Sequence, residues 1–187
     1  MHCKNHADDM RRPLNPLVSA LLAALWLLVA PVAMAEKADR SKPMMIEADK
    51  PGTVDLQRQV VVFNGNVLIQ QGTMTIRAER VEIREGGDGH RLAIAVGSAG
   101  KSATYRQKRE GVDETLEGSA DRIEFDGRTD TLRMIGNGAV RRMRGGAMVD
   151  EITGALITWD HNAELFSVQG GENGRVRAIL SPRAAPR

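Results

Sequence analysis

The side chains that could move a proton or hold a metal are few. Beyond the N-terminal segment there are two histidines, His90 and His161, and several aspartates beside Gly or Asn, notably Asp126, Asp130 and Asp160. Such aspartates could serve calcium binding or general acid–base work. Their neighbours favour a different use. An Asp next to Gly or Asn bonds its own backbone and shapes a turn. His90 follows the glycine-rich run 86–89 and His161 sits in a turn, so both read as solvated, and neither has a second ligand at metal spacing. The one cysteine is Cys3 and there is no G-x-S-x-G elbow. Residues 86–89 (GGDG) lack the lysine and helix of a phosphate loop. A hydrolase acting on envelope sugars would need a carboxylate pair, and no pair is singled out. No catalytic residue, metal site or cofactor is expected.

What the aspartates would position is a repeated strand. In residues 120–140, Ile123 and Phe125 alternate with Arg122, Glu124 and Asp126, the pattern of a half-buried strand. Asp126-Gly127 supplies a turn, and Leu132 and Met134 begin a second strand that ends at Gly136-Asn137-Gly138. The same design recurs from Asp55 to Gly65 and from Asp160 to Gly170, with Asp and Gly ten positions apart each time. Phe63, Met134 and Val168 each stand two before the Gly. Repeated short strands with fixed punctuation indicate a repetitive all-β body. Asn64-Gly65 allows either a tight hairpin or a bulge where a strand turns a corner, and the pattern leaves both open.

The N-terminus belongs to a different class. Lys4, Arg11 and Arg12 precede an apolar run from 17 to 32, and Ala33-Met34-Ala35 is an A-x-A site. Residues 1–35 read as a secretory signal peptide cleaved before Glu36, since the run is shorter than the roughly 20 residues of a spanning helix. Residues 36–187 are then one exported domain without cysteine, held by its core and its ladders rather than by disulfides. Its charge is nearly balanced, which gives no electrostatic case for nucleic acid. Arg106, Lys108 and Arg109, like Arg141, Arg142 and Arg144, fit solvated strand faces.

Along the domain, residues 36–43 read as polar and mobile, 44–48 as a first strand and 49–52 as a turn. Met74, Ile76 and Ala78 share one parity and Val81 and Ile83 the other, so a bulge near 79–80 keeps both sets inward. Residues 107–115 read as an exposed charged loop, 147–159 as a strand pair, 176–180 as a last strand, and the stretch from about 182 as a frayed tail. No stretch after Glu36 has a helical stripe. The class is all-β, a sandwich or barrel with a soft interior of Val, Ile, Leu, Ala and Met.

Residues 65–72 (GNVLIQQG), 76–81 (IRAERV), 118–125 (GSADRIEF), 132–140 (LRMIGNGAV) and 154–159 (GALITW) together resemble the LptA/OstA family, over nearly the whole domain from about 44 to 180. These are periplasmic components of lipopolysaccharide export in Gram-negative bacteria. The resemblance implies an incomplete, twisted β-jellyroll of two facing antiparallel sheets, open at both ends. It implies localisation to the periplasm, head-to-tail self-association, and partners of the same jellyroll fold in the inner and outer membranes. Lipopolysaccharide would pass with its acyl chains in the β-groove. Positions matching Met44, Ile46, Tyr105 and Phe125 would face the lipid. Phe63, Leu132, Met134, Ile157 and Trp159 join them as groove-facing candidates. Met45 and Glu47 on the first strand, with Val176 and Ile179 on the last, would form the edges that stack. Three alternatives stand beside this reading: a scaffold whose apolar faces form a filled core, a related partner anchored in the inner membrane by residues 17–32, and the envelope hydrolase.

Overall fold

A computed structural model describes residue 39 and residues 41–182, apart from 110, 172 and 173. The expected signal peptide and cleavage site, and the expected tail beyond 182, lie outside the described residues. The described chain is twelve strands, every pair antiparallel: β1 (Met45–Glu47), β2 (Lys50–Asp55), β3 (Val60–Gln71), β4 (Met74–Glu85), β5 (Arg91–Val96), β6 (Ala103–Lys108), β7 (Glu114–Ala120), β8 (Arg122–Asp126), β9 (Thr131–Arg144), β10 (Ala147–Asp160), β11 (Leu165–Gln169) and β12 (Arg177–Leu180).

The pairing resolves into two layers, because four strands serve both. The second half of β3 pairs with β1, and its first half with β2. In the same way β4 pairs with β6 and then β5, β9 with β8 and then β7, and β10 with β12 and then β11. One layer therefore runs β1-β3-β4-β6-β7-β9-β10-β12. The other runs β2-β3-β4-β5-β8-β9-β10-β11. The chain is a meander of eight bent strands, hinged along the bends and free along the turns. This is the incomplete jellyroll of two facing sheets; among the described residues the outer edges of β1 and β2 at one end, and of β12 and β11 at the other, have no strand partner.

The registers can be followed straight across. In the first layer Glu47 is opposite Leu68, and the row continues through Arg77, Thr104, Ser119, Ala139 and Thr153 to Arg177. In the second layer Val54 is opposite Val61, and the row continues through Ile83, Ala93, Phe125, Leu132 and Trp159 to Phe166. The first row faces outward and the second inward.

Local chemistry explains the bends and turns. Asp55, Asp126 and Asp160 each close a four-residue turn. Asp55 Oδ1 accepts the amides of Gln57 and Arg58 at 3.0 and 2.9 Å, Asp126 Oδ1 those of Arg128 and Thr129 at 2.8 and 3.3 Å, and Asp160 Oδ1 those of Asn162 and Ala163 at 2.9 and 3.0 Å. Each turn ends four residues after its Asp on a left-handed residue, Gln59, Asp130 or Glu164. The carboxylates are spent on backbone donors, as Asx turns require. At the bends, Gly65 and Asn66 (φ 79° and 44°) and Gly136 and Asn137 (φ 74° and 49°) take up the left-handed region. Two residues of β3 there face one of β4, so Asn64-Gly65 is a bulge and not a hairpin. Polar side chains line the hinge. Lys50 Nζ donates to Glu79 Oε1 at 3.0 Å and Asn137 Nδ2 to Asp121 Oδ2 at 2.9 Å.

Several expectations are corrected. The strand through Leu132 does not stop at 136–138; β9 runs on to Arg144, because the left-handed pair bends it without ending its pairing. Likewise 147–159 is not a strand pair but one strand, bent where the β9 register shifts near Gly154. Residues 49–52 are not simply a turn, since β2 starts at Lys50; Pro51 is tolerated because β2 is an edge. In the third repeat β11 ends at Gln169, so Gly170 leaves the strand rather than bending it. Val176 precedes β12 and is not part of it.

Candidate functional site

The interior between the layers is the candidate site. Both sheets present an apolar face to it, and β4 switches parity at its bend so that its buried residues stay on that face. Ile76 and Ala78 before the β4 bend, and Val81 and Ile83 after it, are all buried. Contact across the gap is direct. The Tyr105 ring meets Trp159 edge-on at 6.2 Å, and Met134 reaches across to Gly118, where a Cβ would lie 2.8 Å from its sulfur.

All nine groove-facing candidates lie in this interior. Tyr105, Leu132, Met134, Ile157 and Trp159 are buried within the core, and Met44, Ile46, Phe63 and Phe125 are half-buried against it. The centre is closed: Leu132, Met134 and Ile157 have no exposed surface. Space remains at the free side and at both ends. A cavity of about 210 Å3 opens along the turns, lined by Met44, Met74, Tyr105, Phe125, Gln107 and His161 among others. One of about 380 Å3 lies beside β1 and β2, with Met44, Ile46, Val54 and Val61. One of about 200 Å3 lies beside β11 and β12, with Ile152, Trp159, Phe166 and Leu180. Of the edge candidates, Met45 and Glu47 project outward from β1, Ile179 outward from β12, and Val176 is exposed just before it.

Sequence reasoning missed the polar groups of the interior. Asp39 is not in a mobile leader but buried under the β3–β4 turn. Its carboxylate accepts the Thr73 amide at 2.9 Å, the Thr73 hydroxyl, Lys42 Nζ at 3.1 Å and Gln107 Nε2 at 3.4 Å. Burial pushes its pKa up, but the Thr73 hydroxyl and amide, then Lys42 and Gln107, outweigh this and hold it low. Gln107 is likewise not in an exposed loop; it is buried in β6 and accepts the Tyr105 hydroxyl. His161 is not solvated. It stacks on Trp159 at 3.8 Å, and its Nδ1 lies 3.0 Å from the Asp130 carbonyl and 3.7 Å from Asp130 Oδ1. An aromatic ring against an imidazole excludes water, which the composition of a turn does not reveal.

Glu114, also expected in the loop, is buried at the start of β7. Arg109 approaches its Oε2 at 2.6 Å, and Arg142 and Arg144 donate to its Oε1. Burial raises its pKa, but the Arg144 and Arg109 hydrogen bonds and the charge of Arg142 outweigh burial and lower it. A carboxylate whose native pKa lies below its unfolded value contributes stability above the unfolded value and loses it as pH falls through the native one. Wild-type protein should therefore lose stability as pH drops below about 4.3, the usual glutamate value. Glu114→Gln should be less stable at neutral pH and flatter across that acid range. Urea midpoints from pH 7 to 3 check this, and parallel curves for the two proteins would refute it.

Among the described residues, no group of three His, Cys, Asp or Glu could hold a metal ion, and no helix is long and apolar enough to cross a membrane. The arrangement can accommodate apolar chains between two sheets and can pair backbone at both ends.

Comparison with known proteins agrees with this geometry. Residues 45–165 match the family model described as LptA/(LptD N-terminal domain) LPS transport protein. The lipopolysaccharide export system protein LptA of Escherichia coli K12 is 30% identical over 174 residues, covering 92% of this chain and 90% of that protein. LptA of Haemophilus influenzae is 26% identical over 162 residues, covering 87% and 90%. The crystal structure of LptH from Pseudomonas aeruginosa superposes with a TM-score of 0.66 at 20% identity, over 77% of this chain and 99% of that one, a likeness of fold. With the family model spanning most of the jellyroll and LptA matching nearly end to end, this chain belongs to the LptA/LptD N-terminal domain family of lipopolysaccharide transport proteins.

Proposed function

We propose that this protein is a periplasmic segment of a lipopolysaccharide bridge, delivered by a cleaved signal peptide. It carries acyl chains between its sheets and stacks head to tail with copies of itself. At the ends of the stack it meets membrane components of the same jellyroll fold. The observation that carries the proposal is the inward row from Val54 to Phe166. It is apolar throughout, crosses every strand of its sheet, and reaches an unpaired edge with a cavity at each end. Burying a methylene is worth about 0.8 kcal/mol, so acyl chains have ample drive to enter. Net affinity saturates near about −20 kcal/mol, and a conduit needs less than that to release its cargo. Passing lipid to an equivalent site in the next copy satisfies both demands. The protein is a carrier and not an enzyme, so the energy for directional transport comes from outside it.

The closed centre favours one competing reading, a scaffold with a filled core. Photo-crosslinking separates them. A photoreactive residue at Phe125 or Ile46 should capture lipopolysaccharide, while one at outward Glu124 should not. Capture at Glu124 alone would discard the interior path. The anchored alternative is decided by mass spectrometry of the exported protein, where an N-terminus at Glu36 excludes it.

A further inference from the structure

We propose that the junction between stacked copies has one register, set by Glu47 of one copy facing Arg177 of the next; this rests on the stacking reading above. The meander has eight bent strands, an even number, so β1 and β12 run in opposite directions within one copy. Placing the first strand of one copy beside the last strand of another, both copies pointing the same way, gives an antiparallel junction. A strand has two faces, so only registers that keep inward residues inward are admissible. The row of outward residues that starts at Glu47 ends at Arg177 without a step. Joining Arg177 to the Glu47 of the next copy continues that row unbroken, and successive copies do not slide along their strands.

The side chains match in this register. Glu47 and Arg177 are opposite charges on the outer face, both exposed, and neither has an ion-pair partner among the described residues. Next to them Met45 faces Ile179, two exposed apolar side chains. On the inner face Ile46 falls opposite Ala178, large against small, and Met44 opposite Leu180. In the second sheet the row traced in the same way puts Val54 of β2 opposite Phe166 of β11. A slip of two residues in one direction puts Glu47 against Ile179. The opposite slip puts Met45 against Arg177, and Glu47 against Arg175, which lies before β12. Either slip leaves a charge beside an apolar group at the seam.

Charge reversal tests the register. Glu47→Arg and Arg177→Glu alone should each weaken concentration-dependent association, read by sedimentation, by roughly tenfold, the equivalent of about 1.4 kcal/mol. An equimolar mixture of the two should recover wild-type association, because alternating copies then meet only opposite charges. The double variant in one chain should recover it too. A mixture of Met45→Cys and Ile179→Cys proteins should form disulfide-linked dimers faster than Met45→Cys with Arg177→Cys. Wild-type association with unchanged single variants, or faster linkage at 45 and 177, would overturn the register while leaving the stacked bridge standing. Absence of wild-type association would overturn both.

Discussion

A folded Phe125→Asp variant will bind lipopolysaccharide at least about a hundredfold more weakly than wild type. Phe125 sits on β8, half-buried against the core, lines the cavity along the turns, and lies 6.1 Å from the His161 ring, edge-on. It is in the inward row, flanked across the strands by Ala93 and Leu132. Losing the ring forfeits about 1.5–3 kcal/mol of apolar contact if an acyl chain covers it. The new carboxylate must also be stripped of water when lipid arrives, at a cost of still several kcal/mol after relaxation. A net loss of about 2.7 kcal/mol is a hundredfold and is a conservative sum of the two. Because Phe125 keeps some exposure in the free protein, the variant can hydrate its carboxylate and stay folded, which circular dichroism verifies. Glu124→Gln, one residue away on the outer face, is the control and should bind as wild type does. Equal binding by wild type and Phe125→Asp would remove lipid from the interior.

The second large effect is on stability. Leu132→Ala will lower the unfolding free energy by about 3–4 kcal/mol and the melting temperature by roughly 10 °C. Leu132 has no exposed surface, stands between Phe125 and Trp159 in register, and belongs to the buried core cluster. Removal of its side chain costs the transfer term and the cavity left behind, and strands paired on both sides limit collapse around the gap. The response to added lipid, rather than the size of the loss, tells core from conduit. A filled core gives the full penalty whatever is added. If lipid enters the interior, saturating lipopolysaccharide should raise the melting temperatures of wild type and Leu132→Ala alike, since a ligand that binds only the native state stabilises it. Melting temperatures that do not move with lipid, in either protein, would assign the interior to packing alone.

Legibility in the sequence followed the range of each interaction. Asp55, Asp126 and Asp160 act over three residues, so local turn chemistry together with the ten-position repeat was enough to place all three turns. The parity change between Ala78 and Val81 was visible because burial period is a local property of one strand. Whether Gly65 opened a hairpin or a bulge was not visible, because the answer lies in the register of β4, paired from a distance. Asp39 was beyond reach for the same reason: its partner Thr73 is 34 residues away. Gln107 and Glu114 were misread because polar side chains were assigned to solvent, whereas Asp39 with Tyr105, and three arginines, compensate them inside. The placement of Met44, Ile46, Tyr105 and Phe125 came from the family resemblance, and the alternation alone would have offered every inward residue equally.

The eight bent strands also make the molecule a unit of length. Neighbouring strands are about 4.8 Å apart, so one copy can advance a stack by at most about 38 Å, less whatever the twist takes up. A row that crosses from Glu47 to Arg177 without a step adds no offset from copy to copy. Any span built from this protein therefore comes in whole tiles, and a gap of intermediate width has to be absorbed by coiling or tilt of the rod. If the proposed stack joins two membranes, the distance between them is measured out in these increments.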